Sequence, residues 1–161
     1  VIAWGNCIDY IQTQIKKLTA MKDLLILGAG TAGTMMANKL RKNLNVLEWN
    51  ITLVDKDTRH YYQPGFLFIP FGIYEPSEVV RDKREFFPPE VNFILGEVDR
   101  VLPERNEVLL TNGRELPYDV LIIATGAQTV PADTEGMLGP LWYKDIFDFY
   151  IDQDSIPSFS I

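Results

Sequence analysis

Three short apolar runs in the chain have the pattern of buried strands. They are Leu24–Leu27, Ile51–Val54 and Val120–Ala124, and such nearly continuous runs are typical of parallel strands covered on both faces. Between the first two, residues at helical spacing predict a helix from Thr31 to about Leu44, namely Gly33, Met36, Ala37, Leu40 and Leu44. A strand, a helix and a second strand within about 30 residues predict a βαβ unit.

The middle of the chain is less regular. Residues 58–77 read as a loop rich in aromatic residues, proline and glycine, and so long a loop is usually functional. A polar helix is predicted from Glu78 to Phe86, and a strand over Val91–Val98. Glu107–Tyr118 is predicted as a hairpin, because the Asn112-Gly113 pair at its centre suits the positive φ angles of a tight turn.

The two ends of the chain differ from the part between them. In residues 1–20 an isoleucine and leucine pattern at helical spacing allows a short amphipathic helix, and we expect an upstream extension before a natural start at Met21. Residues 151–161 have no comparable pattern and are expected to be an atypical tail. The domain proper is therefore predicted to span residues 21–150.

Composition narrows the function classes. The chain has 161 residues, 47% of them apolar, which suits one globular domain with a core. Its net charge of −7 argues against nucleic-acid binding. There is neither an apolar run of roughly 20 residues nor a signal peptide, so a cytoplasmic protein is expected. A single cysteine, Cys7, excludes an internal disulfide, and a single histidine, His60, leaves little material for a histidine-based metal site, so no metal ligands are assigned.

A glycine-rich motif joins the first strand to the helix. Residues 28–33 read Gly-Ala-Gly-Thr-Ala-Gly, which is the GxGxxG pattern in the strand-to-helix context that dinucleotide binding requires. In that role Gly28 forms the sharp turn, Gly30 leaves room for a pyrophosphate, and Gly33 lets helix and strand pack closely. The N–H groups around Thr31 and Ala32 would then face the pyrophosphate at the positive end of the helix dipole.

An acidic residue ends the second strand at the expected distance. Asp55 lies about 20 positions after Gly33, where a carboxylate accepts hydrogen bonds from the two ribose hydroxyls of a dinucleotide. Lys56, directly after it, is included among the candidate cofactor-binding residues. Alone, Asp55 would be read as a surface residue that starts a turn; after this glycine motif, the ribose-binding interpretation is preferred.

A further motif indicates which dinucleotide. Residues 118–127, with Ala124-Thr125-Gly126 after an apolar strand, resemble the ATG motif of flavoproteins with two dinucleotide-binding domains, in the pyridine nucleotide-disulfide oxidoreductase family. The resemblance implies FAD as cofactor, Thr125 and Gly126 beside it, and main-chain contact between adenine and the stretch that ends at Val98. It also implies a Rossmann-like α/β fold with an antiparallel β-meander crossover and strand order 3-2-1-4.

Looser similarity indicates a branch of that family. Residues 60–72, including Gln63-Pro64-Gly65, and residues 131–150, with their aromatic residues, are similar to sulfide:quinone oxidoreductases and flavocytochrome c sulfide dehydrogenase. Sulfide oxidation in that branch uses cysteine thiolates, and the matching stretch contains none. The sequence also contains no stretch that resembles the second dinucleotide-binding domain of these enzymes. We therefore expect it to be an incomplete domain from a longer enzyme.

The resemblance implies an electron-transfer enzyme whose FAD-binding segment is this chain. Electrons would pass from a reduced sulfur donor through FAD to a quinone, with peripheral membrane association through a C-terminal region outside this sequence. No residue here is assigned a catalytic role, and the chain alone is expected to be inactive. The alternatives are a type II NADH:quinone dehydrogenase-like flavoprotein and a non-catalytic nucleotide-binding fragment. Because the strand Val120–Ala124 would lack its outer neighbour, self-association or low stability is also expected.

Overall fold

The computed structural model describes residues 21–142 and 144–145. The helix expected within residues 1–20, the tail 151–161 and most of the aromatic run near residue 150 lie outside the described residues. What is described is an α/β unit with a parallel sheet, an antiparallel meander and a short two-stranded ribbon.

The parallel sheet has four strands, namely β1 (Lys22–Leu27), β2 (Trp49–Asp55), β5 (Asn92–Leu95) and β9 (Val120–Ile123). Their order in the sheet is β5-β2-β1-β9. In chain order this arrangement is the predicted 3-2-1-4. β1 lies at the centre, in register with β2 from Lys22↔Trp49 and with β9 from Leu24↔Val120, and the three predicted apolar runs are therefore neighbours.

Helix α1, Thr31–Asn43, covers one face of this sheet. Its inner face joins a core of buried residues from the helix, the two central strands and the segments next to the sheet, namely Leu24, Ile26, Ala29, Ala37, Ile51, Leu53 and Val91. The helix ends where Leu44 becomes extended, and its carboxyl end is held by the buried Arg41, whose guanidinium donates to the carbonyls of Trp49 and Leu44 at 3.0 and 2.6 Å. Burial of this apolar face fixes α1 against β1 and β2.

The opposite face of the sheet is covered by the meander. Strands β6 (Val98–Leu102), β7 (Glu107–Leu110) and β8 (Glu115–Pro117) form it, with a 3₁₀ turn at Pro103–Arg105 between the first two. Val108, Leu110 and Leu116 from the meander pack with Leu25, Leu27 and Val54 of the sheet in a second core. The predicted hairpin and meander crossover are confirmed.

One predicted strand is divided in two. The sequence pattern predicted a strand over Val91–Val98, whereas β5 ends at Leu95 and β6 begins at Val98. Gly96 lies at the division, donating its N–H to the Asp55 carbonyl at 2.8 Å and lying against Leu110. The chain therefore leaves the parallel sheet at Gly96 and enters the meander.

The helix predicted from Glu78 to Phe86 is wrong. That segment holds the end of a 3₁₀ turn at Pro76–Glu78, strand β4 (Val80–Asp82) and another 3₁₀ turn at Lys83–Phe86. The extended conformation comes from pairing with β3 (Arg59–Tyr61), a strand inside the predicted loop. Val79 anchors the segment, since it is 1% exposed and its carbonyl accepts from Tyr62 N at 2.8 Å. Tertiary pairing thus overrides the polar pattern that favoured a helix.

The rest of the predicted loop is compact. It contains the short helix α2 (Gln63–Phe66) and a 3₁₀ turn at Ile69–Phe71. A last 3₁₀ turn is formed by Pro131–Asp133. In the part of the chain that the structure describes, no helix is long and apolar enough to span a bilayer.

Candidate functional site

A cleft of about 590 Å³ opens at the carboxyl ends of β1, β2 and β9. This is the edge of an open α/β sheet where ligands characteristically bind. Four separate parts of the sequence line it: the glycine motif, the end of β2 with the loop that follows, the 3₁₀ turn that begins at Lys83, and the turn after β9. The lining residues are Gly28, Gly30, Thr31, Ala32, Asp55, Arg59, His60, Tyr61, Gln63, Lys83, Ala124, Thr125, Gly126, Ala127, Gln128 and Thr129.

Gly28 joins the glycine motif to the turn after β9. It has φ +93°, a conformation that residues with a Cβ rarely adopt. A Cβ built there would lie 2.3 Å from the Ala124 carbonyl oxygen, so the two turns are packed backbone against backbone. Only glycine permits this approach, which explains why the two motifs line one cleft.

Gly33 and Gly30 have different surroundings. A Cβ on Gly33 would lie 1.8 Å from the Gly28 carbonyl oxygen, so Gly33 allows the close helix-to-strand packing expected of it and does not itself line the cleft. A Cβ on Gly30 would meet no atom within 4 Å. The fold therefore does not require glycine at position 30, and the open space lies on the cleft side of the motif.

The amino end of α1 faces this space. Gly30 is the N-cap residue, no described side chain caps the helix, and its first turn contains no acidic residue. Helix N–H groups without intrahelical partners carry a partial positive charge and bind anions. Thr31 and Ala32 line the cleft at this end, so the geometry suits a phosphate group.

Asp55 is held by three parts of the chain. Its Oδ2 accepts from Ala29 N at 2.7 Å, and its Oδ1 accepts from Asp57 N at 3.0 Å. Lys83 Nζ forms an ion pair with the same Oδ1 at 2.9 Å. The Asp55 side chain is 14% exposed and lines the cleft, so its carboxylate is fixed at the rim of the glycine turn.

Lys83 was not among the residues predicted from the sequence. It lies in the 3₁₀ turn Lys83–Phe86, and it also donates to the Asp57 carbonyl, 26 positions earlier in the chain, at 2.9 Å. It is 5% exposed overall, which is exceptional for a lysine and occurs when the ammonium is paired. No sequence motif signals this pairing, because it depends on the β3–β4 ribbon that brings the turn back to β2.

Asp57 forms a second anionic group beside the first. Its carboxylate accepts from the Tyr61 hydroxyl at 2.6 Å and from Arg59 N at 2.9 Å. Burial raises the pKa of Asp57, but these two hydrogen bonds and the charges of Lys83 and Arg59 together bring it below its usual value of 3.8. Asp57 is therefore ionised at neutral pH and orders the loop that forms one wall of the cleft.

His60 lies between this cleft and the face of α1. Its ring is 4.5 Å from that of Phe86, and its Nδ1 is buried without a hydrogen-bond partner in the described chain. Burial lowers the pKa of His60 and the Lys83 ammonium lowers it further, whereas the Ala29 carbonyl raises it. The imidazole is accordingly neutral at physiological pH.

Besides Gly33, two predicted cofactor-binding residues do not line the cleft. Lys56 is exposed and does not line it. Val98 begins β6 and packs its side chain into the second core, two positions after the Gly96 that is bonded to the Asp55 carbonyl. Their proposed contacts with the cofactor stay predictions.

The assembled cleft suits the ADP part of a dinucleotide. Open space at Gly30 can admit a pyrophosphate, the uncapped end of α1 can bind it, and the Asp55 carboxylate can bind a sugar hydroxyl beside it. The volume lies within the range of about 300–1,000 Å³ typical of small-molecule sites. Thr125 and Gly126 lie across the cleft from α1, where they would contact the same ligand.

Comparison with known proteins agrees with this geometry. Residues 22–156 match the pyridine nucleotide-disulphide oxidoreductase family. The mitochondrial sulfide:quinone oxidoreductase of Dictyostelium discoideum is 29% identical over 113 residues, which are 70% of this chain and 25% of that protein. The type II NADH:quinone oxidoreductase of Staphylococcus haemolyticus is 32% identical over 124 residues, which are 72% of this chain and 29% of that protein.

A solved structure shows the same fold. The sulfide:quinone oxidoreductase of Aquifex aeolicus superposes with a TM-score of 0.60 and 25% identity, over 68% of this chain and 25% of that one. The chain thus spans roughly a quarter of the length of the relatives it matches. On the strength of its cleft, its Rossmann-like sheet and its match over residues 22–156, the chain belongs to the pyridine nucleotide-disulphide oxidoreductase family, as an FAD-binding region of it.

Proposed function

We propose that this chain holds FAD in an oxidoreductase that delivers electrons to a quinone, with sulfide as the electron donor. The observation that carries the proposal is the convergence of the glycine motif, Asp55 and the Ala124–Gly126 turn on one cleft. When bound, FAD supplies the redox chemistry, and the protein supplies binding and orientation. Two groups of quinone-linked relatives support the acceptor.

Each part of the cleft has a distinct role in this proposal. The amino end of α1 binds the pyrophosphate, and Gly30 leaves space for it. Asp55 binds the ribose, while Thr125 and Gly126 contact the cofactor from the β9 side. None of these residues exchanges protons or electrons with the donor, so their work is binding alone.

The first test is retention of flavin. The chain is reconstituted with excess FAD, desalted, and examined for the visible absorption band of oxidised flavin. We expect the band to be retained by the unmodified chain and lost with Asp55→Ala. The matched control is Glu104→Ala, an exposed carboxylate in the meander turn, which should retain the band. The proposal would be refuted if neither the unmodified chain nor the longer protein that contains it retained flavin.

The second test concerns the donor. In the longer protein loaded with FAD, anaerobic addition of sulfide should bleach the flavin band, and a quinone should restore it. The sole cysteine, Cys7, precedes the family match, so the thiolates that sulfide chemistry uses must come from other parts of the longer protein. Bleaching by NADH and not by sulfide would refute the sulfide assignment.

The alternative is a type II NADH:quinone oxidoreductase-like protein. It is favoured by the 32% identity to the Staphylococcus haemolyticus enzyme, which is as high as the identity to the mouse sulfide:quinone oxidoreductase. Its signature would be bleaching of the flavin by NADH and restoration by quinone. A chain that binds ADP-ribose weakly and never retains flavin would instead be a non-catalytic nucleotide-binding fragment.

A further inference from the structure

The ion pair between Lys83 and Asp55 at the rim of the cleft is unusual in being almost completely buried. Lys83 and Asp55 have side chains that are only 7% and 14% exposed, and the ammonium lies 2.9 Å from Oδ1 of the carboxylate. Lys83 Nζ also donates to the Asp57 carbonyl at 2.9 Å. A lysine loses much side-chain entropy when it is fixed in this way, so the pair must be held firmly by its surroundings.

The hydrogen bonds on Asp55 leave little free capacity. An ionised carboxylate has about four acceptor positions, two on each oxygen. Oδ1 receives Lys83 Nζ at 2.9 Å and Asp57 N at 3.0 Å, which fills that oxygen. Oδ2 receives Ala29 N at 2.7 Å, so one acceptor position is left, and it is on Oδ2.

We infer that Lys83 is a positioning residue for the ribose-binding carboxylate, and that Asp55 accepts one ribose hydroxyl, through Oδ2. The inference rests on the proposed binding of FAD. Sequence reasoning expected Asp55 to receive both hydroxyls, whereas the contacts of Lys83 and Asp57 N withdraw Oδ1 from the ligand. Lys83 thereby determines which oxygen of the carboxylate the ligand meets.

The charge of Lys83 gives a second reason for this role. The pyrophosphate of the ligand is anionic, and Asp55 lies next to the turn that would bind it. An unpaired carboxylate there would repel the ligand. With its ammonium 2.9 Å from Oδ1, Lys83 neutralises this charge without occupying Oδ2.

The unmodified chain provides the first test, through a ligand series measured by calorimetry. ADP is compared with its 2′-deoxy and 3′-deoxy analogues. Loss of the hydroxyl that Asp55 binds should weaken binding about tenfold, the effect of one hydrogen bond to a charged group, and loss of the other should weaken it less than about threefold. Equal losses for both analogues would overturn the single-hydroxyl inference.

Variants of Lys83 provide the second test. Lys83→Met should weaken FAD binding, measured by flavin fluorescence, about tenfold, and Lys83→Arg should restore most of the affinity. The control is Lys42→Met, an exposed lysine of α1, which should bind FAD as the unmodified chain does. If Lys83→Met does not fold, the arginine variant and the ligand series still decide the matter.

A double-mutant cycle separates positioning from direct contact. If Lys83 acts through Asp55, adding Lys83→Met to Asp55→Ala should cause no further loss of FAD affinity. Additive losses would overturn the inference, since Lys83 would then bind the ligand by itself. FAD binding that is unaffected by Lys83→Met would also overturn it and leave the proposed function intact. Failure to bind FAD or ADP, both by the unmodified chain and by the longer protein, would refute the proposed function together with the inference.

Discussion

The two edges of the parallel sheet use their polar groups in opposite ways. At the amino edge, Asn92 Nδ2 donates to Asn50 at 2.6 Å, and Asn50 Nδ2 donates to Asp23 at 2.8 Å. Asp23 N in turn donates to the Asp119 carboxylate at 2.8 Å. At the carboxyl edge, the first turn of α1 has no side-chain cap. The polar groups at the amino edge thus bond to one another, whereas the carboxyl edge leaves backbone N–H donors for a ligand.

Size alone would not separate these two regions. A cleft of about 370 Å³ lies at the amino edge as well, lined by Asp23, Asn50, Asn92 and Arg114 among others. Asp23, Asn50 and Asn92 are already bonded to one another there. A ligand there would have to replace existing hydrogen bonds, with little net gain. What marks the functional edge is the set of polar groups that the fold leaves without partners.

The largest expected effect is a loss of stability caused by a substitution at the carboxyl edge. Gly28→Ala combines a φ of +93° with a Cβ 2.3 Å from the Ala124 carbonyl, so we expect unfolding to become easier by about 3 kcal/mol. The control is Gly113→Ala in the hairpin turn, where φ is +83° but no atom lies within 4 Å. It should cost about 1 kcal/mol. Urea unfolding measures both, and equal losses would show that the contact with Ala124 has no weight.

The next largest effect is on FAD affinity, with no change in the stability of the fold. Gly30→Ala places a methyl group in open space at an ordinary φ of −74°, so the stability should hardly change. The same methyl group would obstruct a pyrophosphate, and we expect FAD affinity to fall about 100-fold, or roughly 2.7 kcal/mol. Flavin fluorescence titration and urea unfolding measure the two quantities. Unchanged affinity would place the pyrophosphate elsewhere.

At the amino edge the expected pattern is reversed. Asn50→Ala removes two side-chain hydrogen bonds, to Asp23 and Asn92, and should lower the free energy of unfolding by about 1 kcal/mol, since both bonds are partly solvated. FAD affinity should stay the same. A loss of affinity comparable to that of Gly30→Ala would mean that the two edges are coupled.

The smallest effect is a pH dependence at the carboxyl edge. The folded-state pKa of His60 lies below the ordinary 6.5, mainly because of burial. As the pH falls from 6.5 towards the lower folded-state pKa, the unfolded chain binds a proton more readily than the folded chain, so stability decreases over that window. His60→Gln should flatten the stability profile near pH 6, and His60 is the sole histidine. A profile unchanged by the substitution would contradict this.

The contribution of Asp57 falls in another pH window. Its folded-state pKa lies below 3.8, so its stabilising effect is present above that value and is lost as the pH falls through the folded pKa. The two groups can therefore be separated by a titration of stability, since His60 acts on the near-neutral side and Asp57 in acid.

The sequence was sufficient for the parallel sheet and the glycine motif. Apolar runs locate β1, β2 and β9, because each strand contributes side chains to the cores on both faces of the sheet, and Asn112-Gly113 locates the hairpin. These features depend on neighbours within a few residues. The same local logic failed for Glu78–Phe86, where pairing of β4 with β3 replaces the expected helix.

The parts of the site that sequence could not reveal depend on distant contacts. Lys83 has no motif, and its role exists because the β3–β4 ribbon returns it to Asp55. The contact of Gly28 with Ala124 is likewise invisible in either motif alone. The number of free acceptor positions on Asp55 could be obtained only from the geometry of all its donors.

The position of β9 has a consequence for how the chain folds. β1 pairs on one side with a strand some 96 residues later, as the contact between Asp23 and Asp119 shows. During synthesis at about 5–20 residues per second, β1 and β2 emerge several seconds before β9. Until then the Gly28 turn lacks the backbone against which it packs. The cleft is therefore completed late, and in the nascent chain one side of β1 stays unpaired until β9 has been synthesised.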